Sequence, residues 1–138
     1  MSVRLIYASK ACDLQPTDLI DILHRSQHNN LEFEITGALS FFNNIFMQCL
    51  EGKNSNVNAT YSRIMRDKRH TQLTLLSFEE ISQRQFGIWS MGLVDTITHE
   101  HPLFQKYGKE KEFDPFKFNM EETRHFFAAL QKETTLFV

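Results

Sequence analysis

Ile45-Phe46-Met47-Gln48-Cys49-Leu50-Glu51-Gly52 is the stretch of sequence that decides the fold of this chain. Because side chains alternate between the two faces of a strand, one face carries Phe46, Gln48 and Leu50 and the other carries Ile45, Met47 and Cys49. Both faces are apolar, so both must be covered in the folded protein. The sequence therefore predicts a buried strand with a packing layer on each side.

Gln48 is the unusual residue of this strand. A buried carboxamide needs partners for as many as four hydrogen-bonding sites, and retaining Gln here indicates a polar ligand or a second polar side chain opposite it. The best candidate for that side chain is Tyr7, which lies in another apolar strand. Together with Trp89-Ser90-Met91 further along, these residues point to a site for a buried aromatic ligand.

The order of predicted elements gives the fold class. A helix begins at Gln15-Pro16-Thr17-Asp18 and ends near His28-Asn29-Asn30, and a second helix follows Gly52. Strands are predicted at 3–9, 35–42, 45–51, 73–81 and 88–94, with Asn43-Asn44 forming a hairpin turn. This βαββαβ order with a fifth strand predicts an α+β, ferredoxin-like fold with two helices on one sheet face.

The second sheet face must be covered by the remaining residues, 96–138. A capped helix start is visible at Asn119-Met120-Glu121-Glu122, where Glu follows the cap by three residues. An apolar stripe of Met120, Thr123, Phe127 and Leu130 follows. We expect this segment to pack on the face opposite the first two helices, with Phe113 to Phe118 serving either as cover or as a docking surface.

Composition excludes several classes of function. The chain has 138 residues, 41% hydrophobic and 23% charged, which is typical of one globular domain. A formal charge of −2 argues against direct nucleic-acid binding, and no apolar run approaches the roughly 18 residues of a membrane span. Cys12 and Cys49 indicate reduced thiols in the cytoplasm. The histidines His99, His101 and His125 match no closed site, so no metal is predicted.

Six motifs, in order, resemble the BLUF domain, a flavin-binding blue-light sensor, over roughly residues 2–94. They are Leu5-Ile6-Tyr7-Ala8-Ser9, His28-Asn29-Asn30, Ile35-Thr36-Gly37, Phe46-Met47-Gln48-Cys49-Leu50-Glu51-Gly52, Arg63-Ile64-Met65-Arg66-Asp67-Lys68-Arg69-His70 and Trp89-Ser90-Met91. Two positions depart from the family pattern: Glu34 replaces a frequent Gly, and His28 stands where a basic residue is common. Residues 1–95 are therefore expected to form the flavin-binding domain, and 96–138 a C-terminal helical extension and output region.

The resemblance implies a flavin between the two helices, with FAD as the cofactor and FMN or riboflavin as alternatives. Tyr7 and Gln48 would meet the edge of its ring, and Asn30 would hold a carbonyl and a ring nitrogen. The other implied contacts are Asn29, Arg63 and Asp67 around the pyrimidine edge, His70 at the opposite flank, Ile22 and Ile64 on the two faces, and Trp89 and Met91 on the fifth strand.

By the same resemblance the protein is a bacterial blue-light photoreceptor. Light would drive electron and proton transfer from Tyr7 to the flavin, and Gln48 would relay the proton and reverse its hydrogen bonds, seen as a small red shift. No substrate is consumed, so no enzymatic activity is expected. The output would be contact with a downstream regulatory protein, and the oligomeric state stays open.

Each residue also has an ordinary interpretation when taken singly. Tyr7 is typical of a core aromatic, Asn29-Asn30 of a helix end, and Arg63 with Asp67 of a solvated ion pair. A light-insensitive flavin-binding regulator is the main alternative function, separable by comparing dark and illuminated protein. An acylphosphatase-like enzyme is disfavoured because the loop Lys10 to Gln15 lacks glycine, and an RNA-binding sheet because both sheet faces are expected to be covered.

Overall fold

The computed structural model of the protein describes residues 1–87, 91–94, 114–133 and 136–137. The strands are β1 (Ser2–Ala11), β2 (Thr36–Phe42), β3 (Ile45–Lys53), β4 (His70–Ile81), β5 (Gly92–Val94) and β6 (Leu136–Phe137). The helices are α1 (Pro16–Glu32), α2 (Asn54–Met65) and α3 (Met120–Glu133), and a 3₁₀ turn spans Pro115–Lys117. The strands form one sheet in the order β4-β1-β3-β2-β5-β6. The predicted ferredoxin-like βαββαβ arrangement with a fifth strand is confirmed.

Strand β3 lies at the centre of the four-stranded antiparallel part of the sheet. It pairs with β1 so that Tyr7 lies opposite Gln48, and with β2 so that Leu39 lies opposite the same residue. The hairpin between β2 and β3 turns at Asn43 and Asn44, whose φ angles of 52° and 66° are both left-handed. Two left-handed residues are what a tight hairpin of this kind requires, so the predicted turn is confirmed.

Helix α1 ends later than the sequence predicts. It continues to Glu32, and its last turn is closed by a hydrogen bond of 2.8 Å from the Ile35 N–H to the Asn30 carbonyl. Glu34 takes the left-handed position of this closing turn, with φ of 55°. The expected end at Asn29-Asn30 was wrong because both asparagines lie inside the last helical turn. Glu34 occupies the backbone conformation that a Gly adopts without strain.

The two sheet faces carry separate hydrophobic clusters. The face under α1 and α2 buries, among others, Val3, Leu5, Leu23, Leu39, Phe46, Leu50 and Val57. The opposite face packs Ile6, Ala8, Met47 and Cys49 of the sheet against Phe118, Phe126, Phe127 and Leu130. The predicted C-terminal cover is therefore confirmed, with Phe116 partly buried beside it. Met120, at the first position of α3, is exposed, and Phe113 lies outside the described residues.

The start of α3 is fixed by a reciprocal cap. The Glu122 N–H donates to Asn119 Oδ1 at 2.8 Å, and the Asn119 N–H donates to Glu122 Oε1 at 3.2 Å. This satisfies backbone donors that the first helical turn would otherwise leave unpaired. The capped helix start read from the sequence is confirmed.

A buried ionic network ties β3 to the loop after β4 and to α3. The Glu51 carboxylate is fully buried and accepts hydrogen bonds from Arg4 at 2.8 and 2.9 Å. It also accepts the backbone N–H groups of Gln85 at 2.8 Å and Phe86 at 2.7 Å. Arg4 reaches Glu79 at 3.3 Å, and Arg124 of α3 reaches the same carboxylate at 3.1 Å. No local sequence pattern indicates this network.

Candidate functional site

A cavity of about 210 Å³ lies against the sheet face that α1 and α2 cover. It is lined by Tyr7, Ile22, Arg25, Ser26, Asn29, Asn30, Leu39, Phe46, Gln48, Thr60, Arg63, Ile64, Asp67, Arg69 and His70. The structure thus brings together every predicted site residue except Trp89 and Met91. Trp89 lies outside the described residues, and Met91 is buried in contact with Gln48 but does not line the cavity.

Tyr7 and Gln48 form a hydrogen-bonded pair at the floor of the cavity. The Tyr7 hydroxyl donates to Gln48 Oε1, and both side chains are buried. Gln48 Nε2 in turn lies 3.5 Å from the sulfur of Met91. Both ends of the carboxamide therefore have a partner within the protein, because β1, β3 and the residue before β5 all present side chains to the same point.

Electrostatics keep the Tyr7 phenol protonated. Burial raises the pKa of Tyr7 far above its usual range, and the neighbouring Tyr61 and Asp67 add to this shift. The Tyr61 ring lies beside Tyr7, with 5.4 Å between the ring centroids and 46° between the planes. A neutral, buried phenol with one strong acceptor can release its proton only along that hydrogen bond.

His70 is fixed at the flank of the site by both ring nitrogens. Nε2 lies 2.7 Å from the Ile64 carbonyl, and Nδ1 lies 2.8 Å from Ser9 Oγ. Because a carbonyl can only accept, Nε2 carries a hydrogen and donates it to Ile64, while Nδ1 shares a hydrogen bond with the Ser9 hydroxyl. The ring meets Phe46 edge-on at 6.1 Å. His70 thus shapes the cavity wall with both nitrogens already bonded.

Charged residues surround the side of the cavity formed by the end of α2. Arg69 donates to Asp67 Oδ2 at 2.7 Å and to Asp21 Oδ2 at 2.9 Å. The hydrogen bond from Arg69 lowers the pKa of the Asp67 carboxyl, so Asp67 is ionised at neutral pH. The partner of Asp67 is thus Arg69. Arg63 instead donates to Thr60 Oγ1 at 3.2 Å and places its guanidinium 4.8 Å from the Phe33 ring centroid.

This donor set fits a flat ring with a polar edge. Branched apolar side chains from α1 and α2, Ile22 and Ile64, are suited to the two faces of such a ring. Asn29, Asn30 and Arg63 supply donors and acceptors for its edge.

Six cavity-lining residues were not predicted as site residues from the sequence: Arg25, Ser26, Leu39, Phe46, Thr60 and Arg69. Ser26 and Thr60 could have been found from helical spacing, because residues four apart share one face of a helix. Ser26 lies four residues after Ile22, and Thr60 lies four residues before Ile64.

A sequence profile of the BLUF family, described as sensors of blue light using FAD, matches residues 2–92. The chain belongs to the BLUF family. The BLUF fold, the flavin cofactor and the role of blue-light sensor, all expected from the motifs, are thereby confirmed.

Relatives of known role support this assignment. The blue light- and temperature-regulated antirepressor BluF of Escherichia coli is 33% identical over 101 residues, which is 72% of this chain and 25% of BluF. The chain thus corresponds to a quarter of that protein's length. The photo-activated state of BlsA matches with a TM-score of 0.87 at 33% identity, covering 98% of this chain and 99% of BlsA. The BlsA ground state matches with a TM-score of 0.86 at 32% identity, covering 98% and 91%.

The sequence also predicts that the protein binds no metal and spans no membrane. The residues that the structure describes contain no group of three His, Cys, Asp or Glu side chains able to hold a metal ion; His99 and His101 are not among them. Within the same residues, no helix is long and apolar enough to cross a membrane.

Proposed function

We propose that this BLUF protein stores the light signal in the hydrogen bonds of Gln48, with Tyr7 as the donor of an electron and a proton. The observation that carries the proposal is the hydrogen bond from the Tyr7 hydroxyl to Gln48 Oε1 within the cavity. When bound, the flavin would supply the oxidant after absorbing blue light, and Tyr7 would be the phenol that gives up the electron.

The protein's own residues account for the proton. Loss of an electron makes the Tyr7 phenol strongly acidic, and its proton passes to Gln48 Oε1, the acceptor it already contacts. In exchange Gln48 would release a proton from Nε2 toward the bound flavin, so the carboxamide ends neutral in its other tautomer. Tyr7 would be restored when the electron and this proton return to it from the flavin. The atoms of Gln48 that accepted in the dark then donate, and the reversed pattern persists after the light is removed.

The remaining cavity residues hold the cofactor in this proposal. Asn29, Asn30 and Arg63 would meet the polar edge of the ring, with the ionised Asp67 beside them, and Ile22 and Ile64 would cover its faces. The edge of the His70 ring would form the cavity wall beside the flavin ring. FAD is the cofactor that the family description names, and FMN or riboflavin would present the same ring to these side chains.

We further propose that the output is a protein contact made through residues 96–138. The support is that α3 packs on the sheet face directly behind the switch, and that the relative BluF is, by its name, an antirepressor. The domain boundary near residue 95, a cytoplasmic location, the lack of catalytic activity and contact with a downstream regulatory protein stay predictions.

The test is the absorption spectrum of purified protein in the dark and after blue illumination, in wild type and two variants. Tyr7→Phe removes the hydroxyl that bonds Gln48, so it should retain flavin and lose the red shift. Tyr61→Phe is the matched control, because Tyr61 packs on Tyr7 without lining the cavity, and it should keep the shift. A normal red shift in Tyr7→Phe would refute the mechanism, and bound flavin without a shift in wild type would favour a light-insensitive regulator.

A further inference from the structure

Met91 is held from two sides, and one of the two partners lies outside the flavin cavity. Gln48 Nε2 contacts the Met91 sulfur at 3.5 Å, and Gln27 of α1 donates from Nε2 to the Met91 backbone carbonyl at 3.0 Å. Met91 is fully buried. Gln27 is half-buried and does not line the cavity.

The two links differ in strength. A thioether sulfur is a weak acceptor, and the contact with Gln48 is long. The bond from Gln27 joins an amide donor to a backbone carbonyl at ordinary length, so it is the stronger hold on Met91. Met91 immediately precedes β5, whose Gly92 pairs with Ala38 of β2. Whatever holds the Met91 backbone therefore also holds the first residue of β5 against α1.

We propose that Gln27 is a positioning residue of the photocycle: it retains Met91 beside Gln48 and thereby sets the rate of return to the dark state. The proposal rests on the proposed reversal of Gln48. That reversal leaves Nε2 with a single hydrogen and so weakens the already weak link to the Met91 sulfur. The bond from Gln27 does not depend on the state of Gln48, and it continues to hold the Met91 backbone until Gln48 returns.

Loss of this bond should slow recovery by a predictable factor. If Met91 is in place for only a fraction of the time, recovery proceeds only from that fraction. An ordinary intramolecular hydrogen bond shifts such an equilibrium by about fivefold. Gln27→Leu and Gln27→Glu keep the approximate size of the side chain but lack the amide donor. Both should leave the flavin spectrum and the size of the red shift unchanged and slow dark recovery by up to about fivefold.

A second measurement reports on Met91 without light. Amide hydrogen exchange of Gly92 to Val94 in the dark should be faster in both Gln27 variants than in wild type, by about the same factor. His24→Ala, at an exposed position on α1, is the control and should change neither quantity. Met91→Leu keeps the carbonyl that Gln27 bonds and removes the sulfur. Its effect on recovery should therefore combine less than additively with that of Gln27→Leu, because both act on one residue.

Unchanged recovery and unchanged exchange in both Gln27 variants would overturn the proposal and leave Gln27 a structural hydrogen bond. A lost red shift with flavin retained would also overturn it, because Gln27 would then act on the Tyr7–Gln48 pair itself. Failure of the proposed function looks different: wild type would show no red shift at all. The dark exchange of β5 would still decide whether Gln27 holds Met91.

Discussion

Replacing Glu51 by Gln should destabilise the fold far more than replacing Glu79, the more exposed carboxylate that also contacts Arg4. The Glu51 side chain is fully buried, its Oε2 accepts from Arg4 and the Gln85 N–H, and its Oε1 accepts the Phe86 N–H at 2.7 Å. A carboxamide can present its oxygen to only one of these two positions. Its NH₂ group then faces a backbone N–H or the guanidinium, and a buried donor loses its acceptor.

The magnitude follows from two contributions. A buried donor left without a partner costs about 1–3 kcal/mol, and removing one partner of a buried ion pair costs about 3–5 kcal/mol in total. We expect Glu51→Gln to lower the free energy of unfolding by about 3–5 kcal/mol, a large share of the roughly 5–15 kcal/mol typical of a domain. The assay is urea unfolding followed by circular dichroism.

Glu79→Gln is the matched control for this prediction. Glu79 contacts the same Arg4 and also Arg124, but its side chain is 24% exposed. A pair of this kind contributes about 1 kcal/mol or less. A loss below about 1 kcal/mol in Glu51→Gln, or one no larger than in Glu79→Gln, would refute the reasoning that the buried carboxylate organises the loop after β4.

Three further predictions concern single positions. A Cβ on Gly37 would lie 1.8 Å from the Cys49 carbonyl oxygen, so Gly37→Ala should separate β2 from β3 and lower the free energy of unfolding by at least about 3 kcal/mol, or abolish soluble expression; near-wild-type urea unfolding would contradict it. Glu34→Gly should relieve the left-handed backbone and raise that free energy by up to about 1 kcal/mol, whereas Glu34→Ala should not; equal urea midpoints for the two variants would argue against strain. Burial raises the pKa of the Cys49 thiol well above 9.0, so above about pH 9 the folded state retains a proton that the unfolded state loses. Stability should therefore decline as the pH rises from 8 to 10, and less so in Cys49→Ala; a flat urea midpoint would count against this.

The sequence predicted the site well wherever strand alternation and helical spacing carry the information. Gln48 was identified as a buried polar residue, and the register of β1 against β3 then places Tyr7 opposite it. Ile22 and Ile64 lie among the apolar residues of the two helices, and only the resemblance to BLUF domains distinguished them from packing residues. The strand and helix faces themselves follow from local periodicity, which a single sequence displays.

The misses depend on contacts between distant residues. In the sequence, Glu51 is simply a polar residue at the end of a predicted strand. Its buried network cannot be predicted locally, because its partners Gln85 and Phe86 lie 34 and 35 residues away. The end of α1 was placed too early because Asn tolerates a helix stop, whereas the stop used here closes through Ile35 and a strained Glu34. Hydrogen bonds between residues far apart in sequence form only once the sheet has assembled, so short-range sequence patterns do not predict them.

The two faces of β3 explain how one residue can affect both layers of the fold. Gln48 faces the cavity, while its neighbours Met47 and Cys49 face the cluster that contains Phe126 and Phe127 of α3. Because a domain is defined by its own core, and α3 completes the core of the second face, the sheet without this helix would expose a large apolar surface. The predicted boundary near residue 95 would therefore separate sensing from the proposed output without separating two folding units. A shift of β3 at Gln48 necessarily moves the side chains that α3 rests on, since the same backbone carries both.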